Sequence, residues 1–190
     1  MSCAVGYTRN SADVSEAVRR IAAARDRIDA VIIIATYRPA ALFIDGLRRA
    51  NVKKVLASLS FVGSESLSRQ LRELGAWVDD IIVTQVVPSP TSNASAVLAY
   101  REALRRHFPE ETPGFVSLEG YVVGALVVEA IKRCRRLDRE GLVQALESIR
   151  SFDLGLGAPI DFGPSDHEGS DRIWGSVIGP DYEYRGLDLA

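Results

Sequence analysis

The chain alternates between two hydrophobic periods as far as Val87, and this alternation constrains its fold more than any other feature. Apolar residues at helical spacing indicate three amphipathic helices, and short apolar runs without helical spacing separate them. The helical stretches run from about Asp13 to Arg25, from about Pro39 to Ala50, and through Leu67, Leu71 and Leu74. The predicted strands are Ala4–Arg9, Ala30–Ala35, Val55–Leu59 and Ile81–Val87. This order predicts repeated βα units, with more sheet expected in front of Ala4.

The second apolar run is β-branched at every position from Val31 to Ile34. A strand that reads apolar without alternation is typical of a parallel sheet with helices on both faces. Crossover connections between parallel strands would then carry the helices. We therefore predict an α/β fold with a Rossmann-like parallel sheet flanked by helices.

The pattern changes after Val87, where 88–93 form a turn-prone linker rich in Pro and Ser. Three segments follow from this change: 1–85 as most of one α/β lobe, 86–150 as a helical part, and 151–190 as a returning tail. The predicted helices after the linker are Ala94–His107, Ser117–Arg135 and Asp138–Ile149, and the predicted tail strands are Ala158–Phe162 and Arg172–Ile178.

Composition excludes several classes of function. The 190 residues are 47% hydrophobic and 25% charged, which is typical of a soluble globular protein. Net charge is −2 and the basic residues are interspersed with acidic ones, so no nucleic-acid partner is expected. Cys3 and Cys134 give neither a disulfide framework nor a metal motif. No apolar run reaches the length of a membrane span, and the N-terminus does not resemble an export signal.

An enzyme is not expected from this sequence. It contains no nucleophile elbow, P-loop or dinucleotide-binding glycine motif. The two histidines, His107 and His167, lie in a helix end and a turn, which supports no catalytic pair. We therefore predict no catalytic residues, no metal site and no cofactor.

The best candidate site residues follow the strands. Ligands of open α/β sheets bind beyond the carboxyl ends of the strands. Tyr37 follows the first buried strand, and Ser60 with Phe61 follows the next. Each has a structural alternative: Tyr37 packing on the following helix, and a half-buried Phe61 beside a helix capped by Ser64.

Five segments carry a resemblance to a known family. They are VIIIATYRPAALFIDGLRRA (31–50), SLSFVGSESL (58–67), IIVTQVVPSP (81–90), FVSLEGYVVGALVVEAI (115–131) and DLGLGAPIDFGPSDHEGSDRIW (153–174). Their order and spacing resemble the later part of ABC-type branched-chain amino acid binding proteins, which are two-lobed type I periplasmic binding proteins. The resemblance covers roughly Ala4 to Ile178. It implies that Gln85–Pro90 is a hinge crossing and that the second lobe is incomplete.

The resemblance also implies a function. It implies a solute-binding component of an ABC transporter, shortened relative to the family, that binds branched-chain amino acids or related small amides or carboxylates by lobe closure. An ABC permease would be the protein partner. Asp79 matches an acidic position that pairs with the ligand's amine in some members, and Tyr121 matches a position near the lobe interface. The structural alternatives are a solvated turn for Asp79 and an ordinary helix position for Tyr121.

Two further functions stay open at this stage: a ligand-sensing domain of a signalling or regulatory protein, since the fold serves both purposes, and a non-binding remnant. The resemblance implies a periplasmic location. The family's export signal and first-lobe strands have no counterpart in this sequence, so a start at Met1 would instead imply a cytoplasmic location. Helices from 94 to 149 would lack the sheet that they normally cover. Apolar residues such as Val122, Leu126, Val127 and Ile131 would then stay exposed or be covered in a homo-oligomer.

Overall fold

The computed structural model of the protein describes residues 3–187 and confirms the predicted α/β class. Helices and strands alternate up to Gln85, and three helices follow before the chain returns to the sheet. The helices are α1 (Ser15–Ala23), α2 (Tyr37–Arg49), α3 (Ser64–Leu74), α4 (Ser95–His107), α5 (Phe115–Arg133) and α6 (Arg139–Glu147). The strands are β1 (Ala30–Ile33), β2 (Val55–Leu59), β3 (Ile81–Gln85), β4 (Trp174–Ile178) and β5 (Tyr184–Leu187).

The five strands form one sheet in the order β1-β2-β3-β4-β5. The first three are parallel, with Ile33 beside Ser58 and Ser58 beside Val83. β4 runs antiparallel to β3, and β5 runs antiparallel to β4. The parallel part is the predicted Rossmann-like portion, whereas β5 was not predicted.

Helices α1, α2 and α3 pack on one face of this sheet. Their apolar stripes and the alternate residues of the strands belong to a single buried cluster. Ile44, Leu47, Leu67 and Leu71 of the helices have essentially no exposed surface, and Leu56 of β2 is equally buried. Each such side chain contributes about 1.5–3 kcal/mol by leaving water. This one-sided layer holds the three parallel strands in place.

The prediction that helices cover both faces is wrong for the described residues. On the other face of the sheet, Ile32 is 73% exposed and Ile34 is 67% exposed, and Val55 and Leu59 are also exposed. The uniform β-branched run had suggested two covering layers. The helices of residues 3–187 supply one, and the second apolar face of β1 and β2 has no cover among them.

The predicted strand Ala4–Arg9 is also wrong. Its described backbone pairs with no strand, although Cys3 and Val5 contact the core with part of their surface. A strand forms only where a neighbour accepts and donates its backbone hydrogen bonds. The sheet ends at β1, so this segment has an apolar period of two without a strand beside it.

The chain divides into two compact units, and the predicted tail 151–190 contributes residues to both of them. The first unit contains the described residues up to Gln85 and those from Trp174 onward; the second unit contains 86–173. Within the tail, β4 matches the predicted strand Arg172–Ile178. The predicted strand Ala158–Phe162 is reduced to one bridge between Ile160 and Phe152.

The second unit contains α4, α5 and α6. Asp138 caps α6 by accepting a hydrogen bond from the Gly141 N–H at 2.8 Å. On α5, Val122 is buried, whereas Val127 and Ile131 are exposed by 39% and 46%. Only part of the apolar surface that was predicted to lack cover is therefore exposed.

Gly46 of α2 tests how closely α1 and α2 pack. A Cβ placed on Gly46 would lie 2.7 Å from a methyl group of Val18, and one on Gly120 of α5 would contact nothing. We expect Gly46→Ala to lower the free energy of unfolding by about 1–3 kcal/mol through overpacking. Gly120→Ala is the matched control and should raise it by about 0.5–1 kcal/mol, since a helical glycine costs backbone entropy. Urea unfolding measures both, and a stabilising Gly46→Ala would contradict the packing.

Candidate functional site

The carboxyl ends of the parallel strands bring three predicted residues to one edge of the first unit. Tyr37 begins α2 after β1, and Ser60 with Phe61 forms a 3₁₀ turn after β2. Because β1 and β2 are parallel and in register, both connections leave the sheet at the same edge. Tyr37 is 43% exposed and Phe61 is 54% exposed. The edge therefore presents two aromatic rings to solvent, together with the partly exposed Ser60.

The beginning of α2 adds hydrogen-bond donors to this edge. Thr36 precedes the helix in an extended conformation, and no side chain caps the first turn. The backbone N–H groups of a first turn have no partner within their own helix, and the helix dipole favours an anion beside them. No acidic residue occupies this turn. A ligand carboxylate placed here would meet the Tyr37 and Arg38 N–H groups.

The turn after β2 is positioned by its buried neighbours. Val62 is 1% exposed and fixes the turn to the core, while Gly63 takes a left-handed φ of 80° before α3 begins. The Gly63 N–H donates to the Ser60 carbonyl at 3.1 Å, which closes the turn. Phe61 lies between these contacts with its side chain outward. The local fold thus exposes an aromatic ring that elsewhere would be buried.

A buried polar cluster lies below this edge, and the sequence did not reveal it. Gln85, the last residue of β3, is 1% exposed and donates through Nε2 to Ser64 Oγ at 2.9 Å and to Ser176 Oγ at 3.0 Å. Ser176 Oγ donates in turn to the Val83 carbonyl at 2.8 Å. We name Gln85, Ser64 and Ser176 the glutamine cluster. Ser64 was expected as a helix cap, but Gly63 holds the cap position.

The glutamine cluster lies where the chain leaves and re-enters the first unit. Gln85 is the last residue of that unit before 86–173, and its antiparallel partner across the sheet is Trp174, the first residue after them. The predicted hinge Gln85–Pro90 begins at this boundary. A buried amide whose Nε2 donates to two hydroxyl groups favours one side-chain arrangement, because an alternative arrangement leaves those donors unpaired. The cluster therefore holds β3, β4 and the start of α3 in one geometry.

Tyr184 of β5 extends this cluster. Its hydroxyl donates to the Ser64 carbonyl at 2.9 Å. Burial raises the pKa of the Tyr184 hydroxyl well above its ordinary value, and the hydrogen bond to Ser64 opposes this only in part. β5 is thus joined to α3 by a polar contact as well as by its apolar surface.

Asp79 does not lie with the other predicted residues. It precedes β3, so it occupies the amino edge of the parallel strands, opposite Tyr37 and Ser60. Arg48 donates to the Asp79 carbonyl and, at 3.0 Å, to the Val52 carbonyl. Burial lowers the pKa of Arg48, and Asp80 and Asp79 oppose that shift. The structure thus places Asp79 at the other end of the strands from Tyr37 and Ser60, and a ligand role for it stays a prediction.

Tyr121 lies on α5 in the second unit. Its ring packs against Tyr100 at a centroid distance of 5.7 Å, tilted by 58°. The Tyr100 hydroxyl bonds with Ser117 Oγ at 2.6 Å and accepts from the Gly114 N–H at 3.0 Å. The helix begins at Phe115, two residues before the predicted start at Ser117, and Gly114 is its N-cap. This cluster fixes the start of the helix, and a ligand role for Tyr121 stays a prediction.

Neither a metal centre nor a membrane span is found in the part of the chain that the structure describes. Between residues 3 and 187, no three His, Cys, Asp or Glu side chains are grouped to hold a metal ion. No helix in that range is both long and apolar enough to cross a bilayer.

Comparison with known proteins identifies the relatives of this architecture. Residues 4–178 match the family model described as periplasmic binding protein. A possible leucine/isoleucine/valine-binding protein from Rhodopirellula baltica SH 1 is similar at 37% identity and a TM-score of 0.88, over 96% of this chain and 48% of that one. A substrate-binding periplasmic protein from Ralstonia solanacearum is similar at 28% identity and a TM-score of 0.81, over 95% and 51%.

A fatty acid ABC transporter substrate-binding protein from Thermomonospora curvata shares the fold at 20% identity and a TM-score of 0.79, over 96% of this chain and 47% of that one. The chain thus spans about half the length of the solved structures it matches. A comparison with curated protein sequences found no match.

The glutamine cluster predicts a specific sensitivity to charge. Gln85→Glu replaces an amide nitrogen that donates two hydrogen bonds by a carboxylate oxygen that can only accept. Ser176 must then donate to this carboxylate and lose its bond to the Val83 carbonyl, or the carboxylate stays buried without that donor. We expect the free energy of unfolding at pH 7 to fall by about 2 kcal/mol or more. The matched control is Gln144→Glu at an exposed position of α6, with a change of about 0.5 kcal/mol or less. Equal effects in urea unfolding would contradict the buried cluster.

The partly buried Tyr184 predicts a dependence of stability on pH. In the unfolded chain this hydroxyl ionises near pH 10, whereas in the folded protein it stays protonated to higher pH. The unfolded state therefore loses its proton first, and stability should fall as pH rises through about 10. In Tyr184→Phe this fall should be smaller, and Tyr7→Phe, at an exposed residue, should leave it unchanged. Unfolding free energies at pH 8 to 11 measure the slope; identical slopes in Tyr184→Phe and the unsubstituted chain would contradict the prediction.

Proposed function

The chain belongs to the periplasmic binding protein family, and we propose that its first unit supplies part of a small-molecule site at the edge formed by Tyr37, Ser60 and Phe61. The observation that carries this proposal is the meeting of two exposed rings and a partly exposed serine with the uncapped start of α2 at the carboxyl edge of parallel strands. No covalent chemistry is needed for such a role. The protein would act as the solute-binding component of an ABC transporter, and its ligand would be enclosed by lobe closure in the periplasm.

The chemistry of the edge favours a ligand that has both a carboxylate and an apolar group. The donors of the first turn of α2 suit the carboxylate, and the Ser60 hydroxyl can accept or donate. The rings of Tyr37 and Phe61 suit an aliphatic side chain. A branched-chain amino acid or a related small carboxylate has this combination, and a related small amide would offer its carbonyl oxygen to the same donors. The 37% identical relative, described as a possible leucine/isoleucine/valine-binding protein, supports this class.

The amine partner of such a ligand is not Asp79 on this proposal, because that carboxylate lies at the opposite edge of the strands. Tyr121 of the second unit remains a further candidate. The permease partner and the periplasmic location rest on the family. A ligand-sensing role would use the same edge, so binding alone does not separate the two functions, whereas co-purification with a permease would.

Calorimetric titration of the chain with leucine, isoleucine, valine and octanoate tests the proposal. We expect binding of at least one amino acid, and an affinity about tenfold lower in Phe61→Ala because the apolar contact is lost. Phe108→Ala is the matched control, since Phe108 is a similarly exposed ring of the second unit. Asp79→Asn should also bind normally.

Octanoate binding without amino acid binding would replace the amino acid by a fatty acid as the ligand. Absence of heat with all four compounds at millimolar concentration would favour a non-binding remnant. A loss of affinity in Asp79→Asn equal to that in Phe61→Ala would contradict the assignment of the site to the carboxyl edge.

A further inference from the structure

The connection between α5 and α6 concentrates positive charge on the surface of the second unit. Its sequence, KRCRRLDR from Lys132 to Arg139, has five basic residues and one acidic residue, although the whole chain has a net charge of −2. α5 ends at Arg133 and α6 begins at Arg139, so the loop itself is 134–138. All five basic residues are exposed. We name residues 132–139 the basic tip.

An exposed apolar side chain lies within the basic tip. Leu137 is 82% exposed, which exceeds even Ile32 on the uncovered face of the sheet, at 73%. A leucine directly before an N-cap residue commonly packs on the fourth residue of the helix, here Leu142, in a hydrophobic staple. Asp138 is the N-cap of α6, so Leu137 has the position for such a contact. Its exposure shows that no staple buries it.

The backbone on both sides of Leu137 is held by the first turn of α6. The Asp138 N–H donates to the Arg136 carbonyl at 2.9 Å, and the Asp138 carboxylate accepts from the Gly141 N–H at 2.8 Å. A Cβ on Gly141 would lie 2.1 Å from the Arg136 carbonyl oxygen, so only glycine allows this close approach. The loop therefore presents Leu137 outward from a fixed backbone.

Ion pairs neutralise only part of the charge of the basic tip. Arg133 pairs with Glu129 at 2.8 Å, and Arg136 pairs with Asp138. Three basic residues of the tip form no ion pair with any residue that the structure describes: Lys132, Arg135 and Arg139. From 129 to 140 the chain has five basic and three acidic residues, which leaves an excess of two positive charges.

The helix dipoles explain one of these three cations. Lys132 lies in the last turn of α5, where a cation is favourable. Arg139 is the first residue of α6, where the positive end of the dipole disfavours a cation, and Arg135 lies in the loop. Local helix stability therefore does not account for the two arginines or for the exposed leucine between them.

We propose that the basic tip docks the protein on an anionic lipid surface. Leu137 enters the boundary between head groups and acyl chains, and Lys132, Arg135 and Arg139 contact the head-group phosphates. Apolar insertion together with basic residues is the combination that holds peripheral proteins on such surfaces. A nucleic acid offers phosphates but no apolar phase for Leu137. A stable protein interface needs about 800 Å² on each side, which is more than one loop around a single leucine supplies.

Co-sedimentation of the whole chain with sucrose-loaded vesicles tests the proposal. One set of vesicles is phosphatidylcholine alone, and the other contains about 30% phosphatidylglycerol. We expect binding to the anionic vesicles to be at least about tenfold tighter than to the neutral ones, since each unpaired basic residue strengthens it about fivefold. Raising the salt from about 0.05 M to about 0.5 M should remove most of this difference by screening.

Matched substitutions locate the contact. Lys132→Gln with Arg135→Gln should weaken binding to anionic vesicles by about 25-fold. Its control, Arg20→Gln with Arg27→Gln, makes the same change of net charge at exposed residues of the first unit and should change binding less than about twofold. Leu137→Ala should weaken binding by about tenfold, and Leu98→Ala, at a 45% exposed leucine of α4, should not. All substituted residues are exposed, so urea midpoints should stay unchanged.

Several outcomes would overturn the proposal. Equal binding to both kinds of vesicle, or to neither, would exclude an anionic lipid surface as the partner. Equal losses in the tip variants and their controls would exclude the basic tip as the contact. Binding that Leu137→Ala leaves intact would mean electrostatic adsorption without insertion. Tighter binding to polyglutamate than to anionic vesicles would assign the tip to an acidic protein instead. None of these readouts involves a small ligand, so this proposal and the proposed function fail separately.

Discussion

The antiparallel pairing of β3 with β4 is the interaction on which the rest of this structure depends. It joins two parts of the chain that are separated in sequence by the whole second unit. Closing so long a connection has an entropic cost that grows slowly with its length, and the ladder with the buried glutamine cluster offsets it. Once β4 is in place, β5 can pair with it, and the Tyr184 hydroxyl can reach the Ser64 carbonyl. The sheet of the first unit is therefore completed by β4 and β5, which follow the whole second unit in sequence.

Much of the fold was predictable because the hydrophobic patterns of its helices and strands lie within short stretches of sequence. Helical spacing identified all six described helices within a few residues, and the apolar runs identified β1 to β4. β5 was missed because YRGL carries an exposed Arg and a Gly, and its strand character comes from pairing with β4. The strand predicted at residues 4–9 was wrong for the opposite reason: the sequence of this segment has strand character, but no strand of the described residues lies beside it. Local sequence preference predicts where a strand can form, but the strand forms only when an adjacent strand pairs with it.

The shared location of three candidate site residues was also predictable from the sequence. The rule that ligands bind beyond the carboxyl ends of strands placed Tyr37, Ser60 and Phe61 together, and it needed only the strand positions. Asp79, which was matched by resemblance alone, precedes β3 and so lies at the opposite ends of the strands from those three residues. The glutamine cluster was not predictable, since it joins Ser64, Gln85 and Ser176 from three elements and no sequence pattern marks a serine for burial.

The pairing of Gln85 with Trp174 has a topological consequence. These two residues are direct neighbours on adjacent antiparallel strands, which is the relation that the two ends of a tight hairpin have. In terms of the sheet, β3 and β4 are thus a β-hairpin whose loop is the entire second unit. The first unit is then a single continuous module interrupted by an insertion, and a two-residue turn is all the covalent connection that its geometry requires.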